Sequence, residues 1–362
     1  MPYVGTPLST ETVALDPDHV RLHEGGPAVH VVRPMPAGQP AGHWYFDDLR
    51  EVDFGARYTL EITDGLVIGN YSAHLTPTGI LDYETSHYFS VKGWHEHPIY
   101  LRTRLPKIEH VPGTLLSLAT RGTGVNYYHV VMDLLERYAI FAESMPGERP
   151  DVLLVNRNTS YARQYLELIG LDSFPAIEPT KHIALRADRL LVPSLPNKWN
   201  LAPPWTTQWL RENLPAKRTE GRPKRLYVTR GDKKNSRRVT NEAALLDILR
   251  PLGFEVFDPG RHSVQEQIDH FAAAEVVVGP HGAGLTNLVF APPGVRILEL
   301  FAPKYLNAGY WTIADNLPEA KYRYLVGEPA DTRPRGALMQ SVYQDILVDV
   351  PKFRAALDEL LS

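Results

Sequence analysis

A glycine turn that contains a histidine, Gly-Pro-His-Gly-Ala-Gly at residues 279–284, follows an apolar run and leads into an apolar segment. The run 275–279 is typical of a buried parallel strand, so the turn should lie at the carboxyl end of that strand and open a helix. Gly282 and Gly284 would allow backbone N–H groups to approach a ligand, and a helix N-terminus favours an anion. The turn is therefore a candidate phosphate site. A tight strand-to-helix turn that binds nothing explains the same residues.

A basic segment follows another strand of the same predicted domain. Parallel strands present their carboxyl ends at one edge of a sheet, so cations after strand 225–230 should face the glycine turn. Arginine grips phosphate oxygens through two N–H groups, whereas lysine acts as a point charge. The pattern favours a di-anion, and a solvated basic loop is the alternative. The cations are Arg230, Lys233, Lys234, Arg237 and Arg238.

A single carboxylate, Glu299, lies near the end of the predicted strand 295–301. A carboxylate there suits the hydroxyl groups of a ribose, as in nucleotide-binding α/β folds, although glutamates are common at strand ends. The glycine turn itself matches neither the G-x-G-x-x-G dinucleotide fingerprint nor a Walker loop, which ends in Gly-Lys-Ser/Thr. Any phosphate site here is of another kind.

A histidine and an aspartate lie one turn apart on a predicted helix at residues 126–143. His129 and Asp133 are neighbours at i and i+4, on the face that also carries Asn126 and Arg137. A carboxylate beside an imidazole fixes its tautomer and supports the imidazolium, which suits a general base. The alternative is a solvated face with an Asp133–Arg137 ion pair. The helix follows strand 114–120 and a glycine-rich loop, so its N-terminal end should face a cleft.

Strand and helix patterns alternate after about residue 110, which predicts parallel βα units. Before that point, short alternating segments with Asp-Gly and Thr-Gly turns indicate hairpins. Ser263 and Glu266 form a plausible capping box at a helix start, and Pro351 fits the first turn of the last helix. The predicted strands are 114–120, 151–156, 189–194, 225–230, 254–258, 275–279 and 295–301, and the helices 126–143, 160–170, 240–253, 263–274, 285–291 and 305–317.

These elements predict an α/β protein with two sheet-and-helix domains that face each other across a hinge. The N-terminal, acceptor-side domain is expected at 1–196, β-rich over 1–110, and a linker at 197–224. The nucleotide-sugar domain would span 225–335. The last strand and helix, 336–362, would pack back on the N-terminal domain.

Composition excludes several classes of protein. A formal net charge of −4 argues against a nucleic-acid partner, and the absence of cysteine rules out disulfides and thiolate metal sites. The only Asp-x-Asp, at 16–18, is interrupted by proline, and His95 and His97 would lie on one strand face without a third metal ligand. Without a leader or an apolar span, we expect a soluble, cytoplasmic chain with no metal and no cofactor.

Three segments together resemble glycosyltransferase family 61, whose bacterial members include capsular polysaccharide biosynthesis proteins. They are Asn-Tyr-Tyr-His-x-x-x-Asp from Asn126, the Tyr-Val-Thr-Arg strand with its Arg-Arg pair, and the segment around Gly-Pro-His-Gly-Ala-Gly-Leu-Thr-Asn. The resemblance covers about residues 55–350. It implies a GT-B fold of two Rossmann-like domains, and inverting, metal-independent transfer of a sugar from a UDP-sugar to a glycan. Lipid-linked acceptors of such pathways would place the chain at a membrane surface.

The resemblance also implies roles for individual residues. His129 and Asp133 would lie on the acceptor side with Asn126 and Trp199, and either could be the base. A sugar-nucleotide epimerase and a non-catalytic nucleotide-sugar or glycan-binding subunit are the competing functions. The donor would be held by Arg230, Lys234, Arg237, Arg238, His281, Gly282, Ala283, Gly284, Thr286, Asn287 and, at the ribose, Glu299.

Overall fold

The structure is a computed structural model, and it describes residues 4–70, 72–88, 91–102, 104–197, 199–231, 237–330 and 343–362. Its strands are β1 (Val4–Thr6), β2 (Val20–Glu24), β3 (Val29–Val32), β4 (Ala37–Gln39), β5 (Glu51–Phe54), β6 (Tyr58–Ile68), β7 (Ala73–Leu75), β8 (Ile80–Asp82), β9 (Glu109–Ser117), β10 (Val152–Leu154), β11 (Ala176–Ile177), β12 (Ala184–Pro193), β13 (Arg225–Val228), β14 (Glu255–Phe257), β15 (Val276–Pro280), β16 (Arg296–Phe301), β17 (Lys321–Val326), β18 (Glu328–Pro329) and β19 (Ile346–Leu347).

Helices connect most of the later strands. Short 3₁₀ turns lie at Trp94–Glu96, Pro98–Leu101, Arg250–Leu252 and Pro259–Arg261, and a longer 3₁₀ helix at Ala283–Phe290. The α-helices are α1 (Ser9–Leu15), α2 (Trp44–Asp47), α3 (Tyr127–His129), α4 (Leu135–Ser144), α5 (Ser160–Leu168), α6 (Pro204–Asn213), α7 (Glu242–Leu249), α8 (Val264–Ala273), α9 (Gly309–Asp315) and α10 (Val350–Leu361). A π-helical turn, Val130–Leu134, joins α3 to α4.

These strands and helices confirm the expectation of an α/β protein, and the chain forms two compact units. The first comprises Met1–Val29 and Asp53–Trp199, and the second His30–Val52 and Asn200–Ser362. Within the described residues, the first unit contains a mixed sheet in the order β1-β8-β7-β6-β12-β9-β10-β11, with β2 paired to β6. Strands β12, β9, β10 and β11 run parallel, and β6 runs antiparallel to β12. This parallel part carries α3 and α4.

The second unit contains a parallel sheet in the order β14-β13-β15-β16-β17-β4. Every residue of β15 is buried, as its continuous apolar run predicts for a central parallel strand. The capping box at the start of α8 is present in both directions, since Ser263 accepts from the N–H of Glu266 and Glu266 accepts from that of Ser263. Strands β13 to β16 and helix α8 thus lie where the sequence pattern predicts them.

Residues 30–52 pack in the second unit, whereas the sequence pattern placed them in the N-terminal domain 1–196. The reason is β4, which pairs in parallel with β17 and extends the second sheet. The predicted linker 197–224 contains α6, and the second unit resumes at Asn200. Residues 336–362 were expected to pack back on the N-terminal domain. Helix α10 instead packs on β16 and β17 of the second unit.

Three local expectations differ from the structure. The predicted helix 285–291 is the 3₁₀ helix Ala283–Phe290, and the predicted helix 305–317 is the shorter α9. The histidine pair does not lie on a strand, because His95 belongs to the turn Trp94–Glu96 and His97 is buried with its imidazole Nε2 3.1 Å from the carbonyl of Ser86. Within the described part of the chain, no helix combines the length and the apolar character that crossing a membrane requires.

Candidate active site

The glycine turn lies at the carboxyl end of β15, as predicted. His281 follows the strand directly, and its N–H donates to the carbonyl of Leu300 on β16 at 2.8 Å. Gly282 precedes the 3₁₀ helix, and a Cβ there would come within 1.8 Å of the Arg230 Nη1. A Cβ on Gly284 would come within 2.8 Å of the Pro259 ring. These glycines make room for neighbouring side chains, and the space beside Gly282 belongs to an arginine.

Two guanidinium groups meet at the turn. Arg230 Nη1 and Arg237 Nε both donate to the carbonyl of His281, at 3.2 and 3.1 Å. The Arg237 guanidinium also lies over the ring of Tyr305, 4.8 Å from its centroid. Burial, with a second contribution from Arg237, lowers the pKa of Arg230 to about 10, so the side chain stays charged at neutral pH. The turn therefore carries two adjacent positive charges at the carboxyl end of a parallel sheet.

The other predicted cations have different surroundings. Arg238 is turned toward Asp345, with 3.4 Å between Nη2 and Oδ2, and its side chain is half exposed. Lys234, and Lys233 beside it, lie outside the described residues. The convergence predicted for the basic segment is thus visible for Arg230 and Arg237.

A buried hydrogen-bonded series lies behind the turn. The imidazole Nδ1 of His281 is 2.5 Å from Glu299 Oε1, and the hydroxyl of Tyr322 donates to Glu299 Oε2 at 2.5 Å. Glu299 is wholly buried, and the His281 ring stacks on Phe301 with 5.3 Å between centroids. Burial raises the pKa of Glu299 well above its ordinary value and lowers that of His281 well below its own. His281 is therefore neutral at pH 7, and burial favours the neutral form of the Glu299 carboxyl.

This position of Glu299 does not support the predicted ribose contact. Each carboxyl oxygen already has a protein partner, and the side chain has no exposed surface. A ribose hydroxyl could reach the carboxyl group only if the residues packed around it moved. The strand position was predicted correctly, but the pattern could not show that β17 supplies a tyrosine beside the carboxylate.

Three further residues predicted to bind the donor have different environments. Ala283 is half-buried, and Thr286 and Asn287 are buried within the 3₁₀ helix. The Asn287 amide donates to Gln267 Oε1 at 2.9 Å and to the carbonyl of Gly284 at 3.1 Å. Asn287 therefore ties the turn to α8 from inside.

The second set of candidate residues lies on the α3 segment of the first unit. The Asn126 side chain caps α3 by accepting from the N–H of Tyr128 at 3.0 Å. Imidazole Nδ1 of His129 is 2.8 Å from Asp133 Oδ2, so the predicted i, i+4 pair is formed. The π-helical turn begins directly after His129 and contains Asp133, and such turns recur at functional sites.

The predicted alternative of a solvated face with an Asp133–Arg137 ion pair is wrong. His129 is 7% exposed, and Asp133 and Arg137 are buried. The guanidinium of Arg137 donates to the carbonyls of Ala119 and Thr85, at 2.8 and 2.5 Å, and burial lowers its pKa to about 10. Arg137 thus holds the loop after β9 against α4. Asp133 accepts long 3.5 Å contacts from Thr120 and Asn197 in addition to its contact with His129.

The family model for glycosyltransferase 61 matches residues 127–298. This region belongs to glycosyltransferase family 61. The match begins one residue after Asn126 and ends one residue before Glu299, so it includes the His129–Asp133 pair and the glycine turn. The chain is therefore a glycosyltransferase. No curated protein sequence matches it significantly.

Sequence reasoning missed one residue that positions the glycosyltransferase's histidine. Gly122 has φ +85°, and a Cβ there would come within 2.4 Å of the His129 Cδ2. The glycine permits both the left-handed backbone and the close approach of the imidazole. Its place in a glycine-rich loop before the helix was visible in the sequence, but a backbone contact with the ring was not.

The remaining sequence-predicted residues lie apart from the buried pair. Trp199 is 70% exposed, and nothing in its surroundings tests a role with an acceptor. Asp16 of the Asp-x-Asp sequence is buried, 2.7 Å from His19 Nδ1 and 2.5 Å from Thr78 Oγ1. Among the described residues, no group of three or more His, Asp or Glu side chains could hold a metal ion.

Proposed function

We propose that this glycosyltransferase transfers a sugar from a UDP-sugar to a glycan hydroxyl with inversion and without a metal, in capsular or cell-surface polysaccharide biosynthesis. The observation that carries the proposal is the meeting of Arg230 and Arg237 on the His281 carbonyl, at the carboxyl end of β15. Open parallel sheets bind ligands at that end of their strands. We further propose that the two units are the halves of a GT-B fold.

On the donor side, negative charge grows on the departing diphosphate as the bond to the anomeric carbon breaks. Arg230 and Arg237 offer fixed positive charge and N–H donors for phosphate oxygens, and this preorganised stabilisation takes the part that a divalent cation plays elsewhere. Lys234 and Arg238 are further proposed contacts. To reach the diphosphate, the Arg238 side chain would turn away from Asp345, with which it makes a long contact of 3.4 Å.

On the acceptor side, His129 is the proposed general base. Asp133 is wholly buried and 2.8 Å from His129 Nδ1, whereas His129 retains some exposure, so the imidazole is the member of the pair that a substrate can reach. With Nδ1 donating to the carboxylate, Nε2 accepts the proton of the attacking hydroxyl, and Asp133 stabilises the imidazolium. Asn126 and Trp199 are proposed to lie along the acceptor.

The proposal is tested by supplying UDP-hexoses and UDP-pentoses with cell-surface glycans and measuring released UDP. We expect release that depends on acceptor and that falls at least 100-fold in His129→Ala, because general-base catalysis contributes about that much or more. The matched control is His110→Ala, since His110 pairs with Asp188 at 2.7 Å on the surface of the same unit. Equal turnover by His129→Ala and wild type would refute the assignment of the base. An epimerase would convert the UDP-sugar without net UDP release.

A further inference from the structure

Three buried groups form a series that ends at the glycine turn. The Tyr322 hydroxyl on β17 donates to Glu299 on β16, and the other oxygen of Glu299 lies 2.5 Å from His281 Nδ1. The ring is fixed further by stacking on Phe301 and by the edge of Tyr305, 5.4 Å away between centroids. None of these hydrogen bonds involves His129 or Asp133, yet the series leads to the residue on which the two arginines meet.

The position of the proton between Glu299 and His281 decides what His281 can do. Both side chains are almost fully buried, which disfavours an ion pair, and the nearby Arg230 and Arg237 disfavour a third cation. Burial also favours the neutral carboxyl, because it raises the pKa of Glu299. A neutral carboxylic acid donates its own hydrogen to Nδ1, so the hydrogen of the neutral ring must be on Nε2.

The Nε2 atom is then a hydrogen-bond donor at the turn. In the described part of the chain, no protein group bonds to this nitrogen, and the residue is 5% exposed. The carbonyl of the same residue accepts from Arg230 and Arg237. An uncharged N–H beside two guanidinium groups provides a directed donor for an anionic oxygen.

We propose that Glu299, held by Tyr322, is a positioning residue that fixes His281 as an Nε2–H donor to a phosphate oxygen of the sugar donor. This inference rests on the proposed function for its ligand. It replaces the predicted contact of Glu299 with a ribose. It also specifies Nε2–H as the group through which His281, already predicted to hold the donor, contacts the diphosphate.

The variant Glu299→Gln distinguishes a Glu299 that positions His281 from a Glu299 that contacts the ribose. A glutamine amide reproduces the neutral acid, with N–H donating to His281 Nδ1 and the carbonyl accepting from Tyr322. By calorimetry with EDTA present, we expect Glu299→Gln to bind UDP within about threefold of wild type, and Glu299→Leu to bind at least tenfold more weakly. UMP, with one phosphate fewer, should lose less in Glu299→Leu than UDP does. Equal losses of UMP and UDP in Glu299→Gln would support the ribose contact and overturn the proposal.

The tautomer of His281 can be measured without an activity assay, and the measurement remains possible if the Glu299→Leu variant does not fold. Two-bond ¹H–¹⁵N correlation spectra of wild type, with the signal assigned through His281→Gln, should show an Nε2–H tautomer that persists in Glu299→Gln. A signal from the Nδ1–H tautomer, or from an imidazolium at pH 7, would overturn the proposal. If wild type binds no nucleotide but shows the Nε2–H tautomer, the proposed function is refuted. The result would still support the role of Glu299 in fixing the tautomer of His281.

Discussion

Replacing Gly122 by alanine tests whether the His129 ring must lie where the loop after β9 holds it. The added Cβ would lie 2.4 Å from Cδ2, 2.8 Å from Cγ and 2.9 Å from Nε2 of His129, and Gly122 has φ +85°. The ring therefore has to move, and its 2.8 Å contact with Asp133 is strained or lost. Gly147→Ala is the matched control, because Gly147 has φ +82° and an added methyl group there would have nothing within 4 Å.

The expected magnitude follows from two contributions. A left-handed backbone costs a residue with a Cβ about 1–2 kcal/mol, and this cost lowers the free energy of unfolding of both variants. Overpacking a buried site costs a further amount of about 1–3 kcal/mol, which lowers the free energy of unfolding of Gly122→Ala only. We therefore expect the free energy of unfolding to fall by about 1–2 kcal/mol in Gly147→Ala and by about 2–5 kcal/mol in Gly122→Ala.

Urea unfolding measures these free energies, and acceptor-dependent UDP release measures turnover on the same preparations. Gly147→Ala should retain wild-type turnover. At urea concentrations below its denaturation midpoint, where it is folded, Gly122→Ala should have a turnover at least tenfold lower than wild type. The reasoning is refuted if the two variants lose equal stability and Gly122→Ala turns over like the wild type. In that case the Gly122 contact does not hold the base.

Three other predictions concern the donor side, stability and metals. Gly282→Ala places a methyl 1.8 Å from Arg230 Nη1, so UDP should bind about tenfold more weakly by calorimetry, while the control Gly294→Ala, whose added methyl group would meet open space, should bind normally. Burial lowers the pKa of His97 to about 4 from 6.5, so the unfolded chain binds its proton first and up to about 3 kcal/mol of stability is lost as pH falls from 6.5 to 4. Unfolding free energies of His97→Asn should fall less over this range, and an unchanged slope would contradict the assignment. Transfer should persist in EDTA, and strict loss restored by manganese would show that the arginines do not replace a cation.

The sequence predicted β13 to β16 of the second sheet, because apolar strand segments alternate there with amphipathic helices. It did not predict β17 at Lys321–Val326. Residues 225–301 contain β13 to β16 within two residues of the predicted bounds. Residues 30–52 gave no such signal, since β4 is the three-residue strand Ala37–Gln39 and its pairing with β17 joins residues almost 290 positions apart. Long-range pairing of a short strand leaves no periodicity to read.

The candidate site was predicted where it depends on local spacing. The His129–Asp133 pair follows from i, i+4 geometry, and Arg230 follows from its place at a strand end. Burial of the pair depends on loops distant in sequence, so the helix's polar face suggested solvent instead. Glu299 was assigned to a ribose for the same reason, because only the pairing of β16 with β17 brings Tyr322 to it.

The measurement that tests the central claim most directly is calorimetric titration of UDP, GDP, CDP and dTDP, with EDTA present, into wild type, Arg230→Ala and Arg225→Ala. Arg225 is the control because it begins β13, the strand that Arg230 follows, and it donates to a carbonyl, that of Leu252, at 2.6 Å. We predict selective UDP binding that Arg230→Ala weakens by at least tenfold and Arg225→Ala leaves unchanged. Folded wild-type protein that binds none of the four nucleotides would contradict the account of the turn as a donor site.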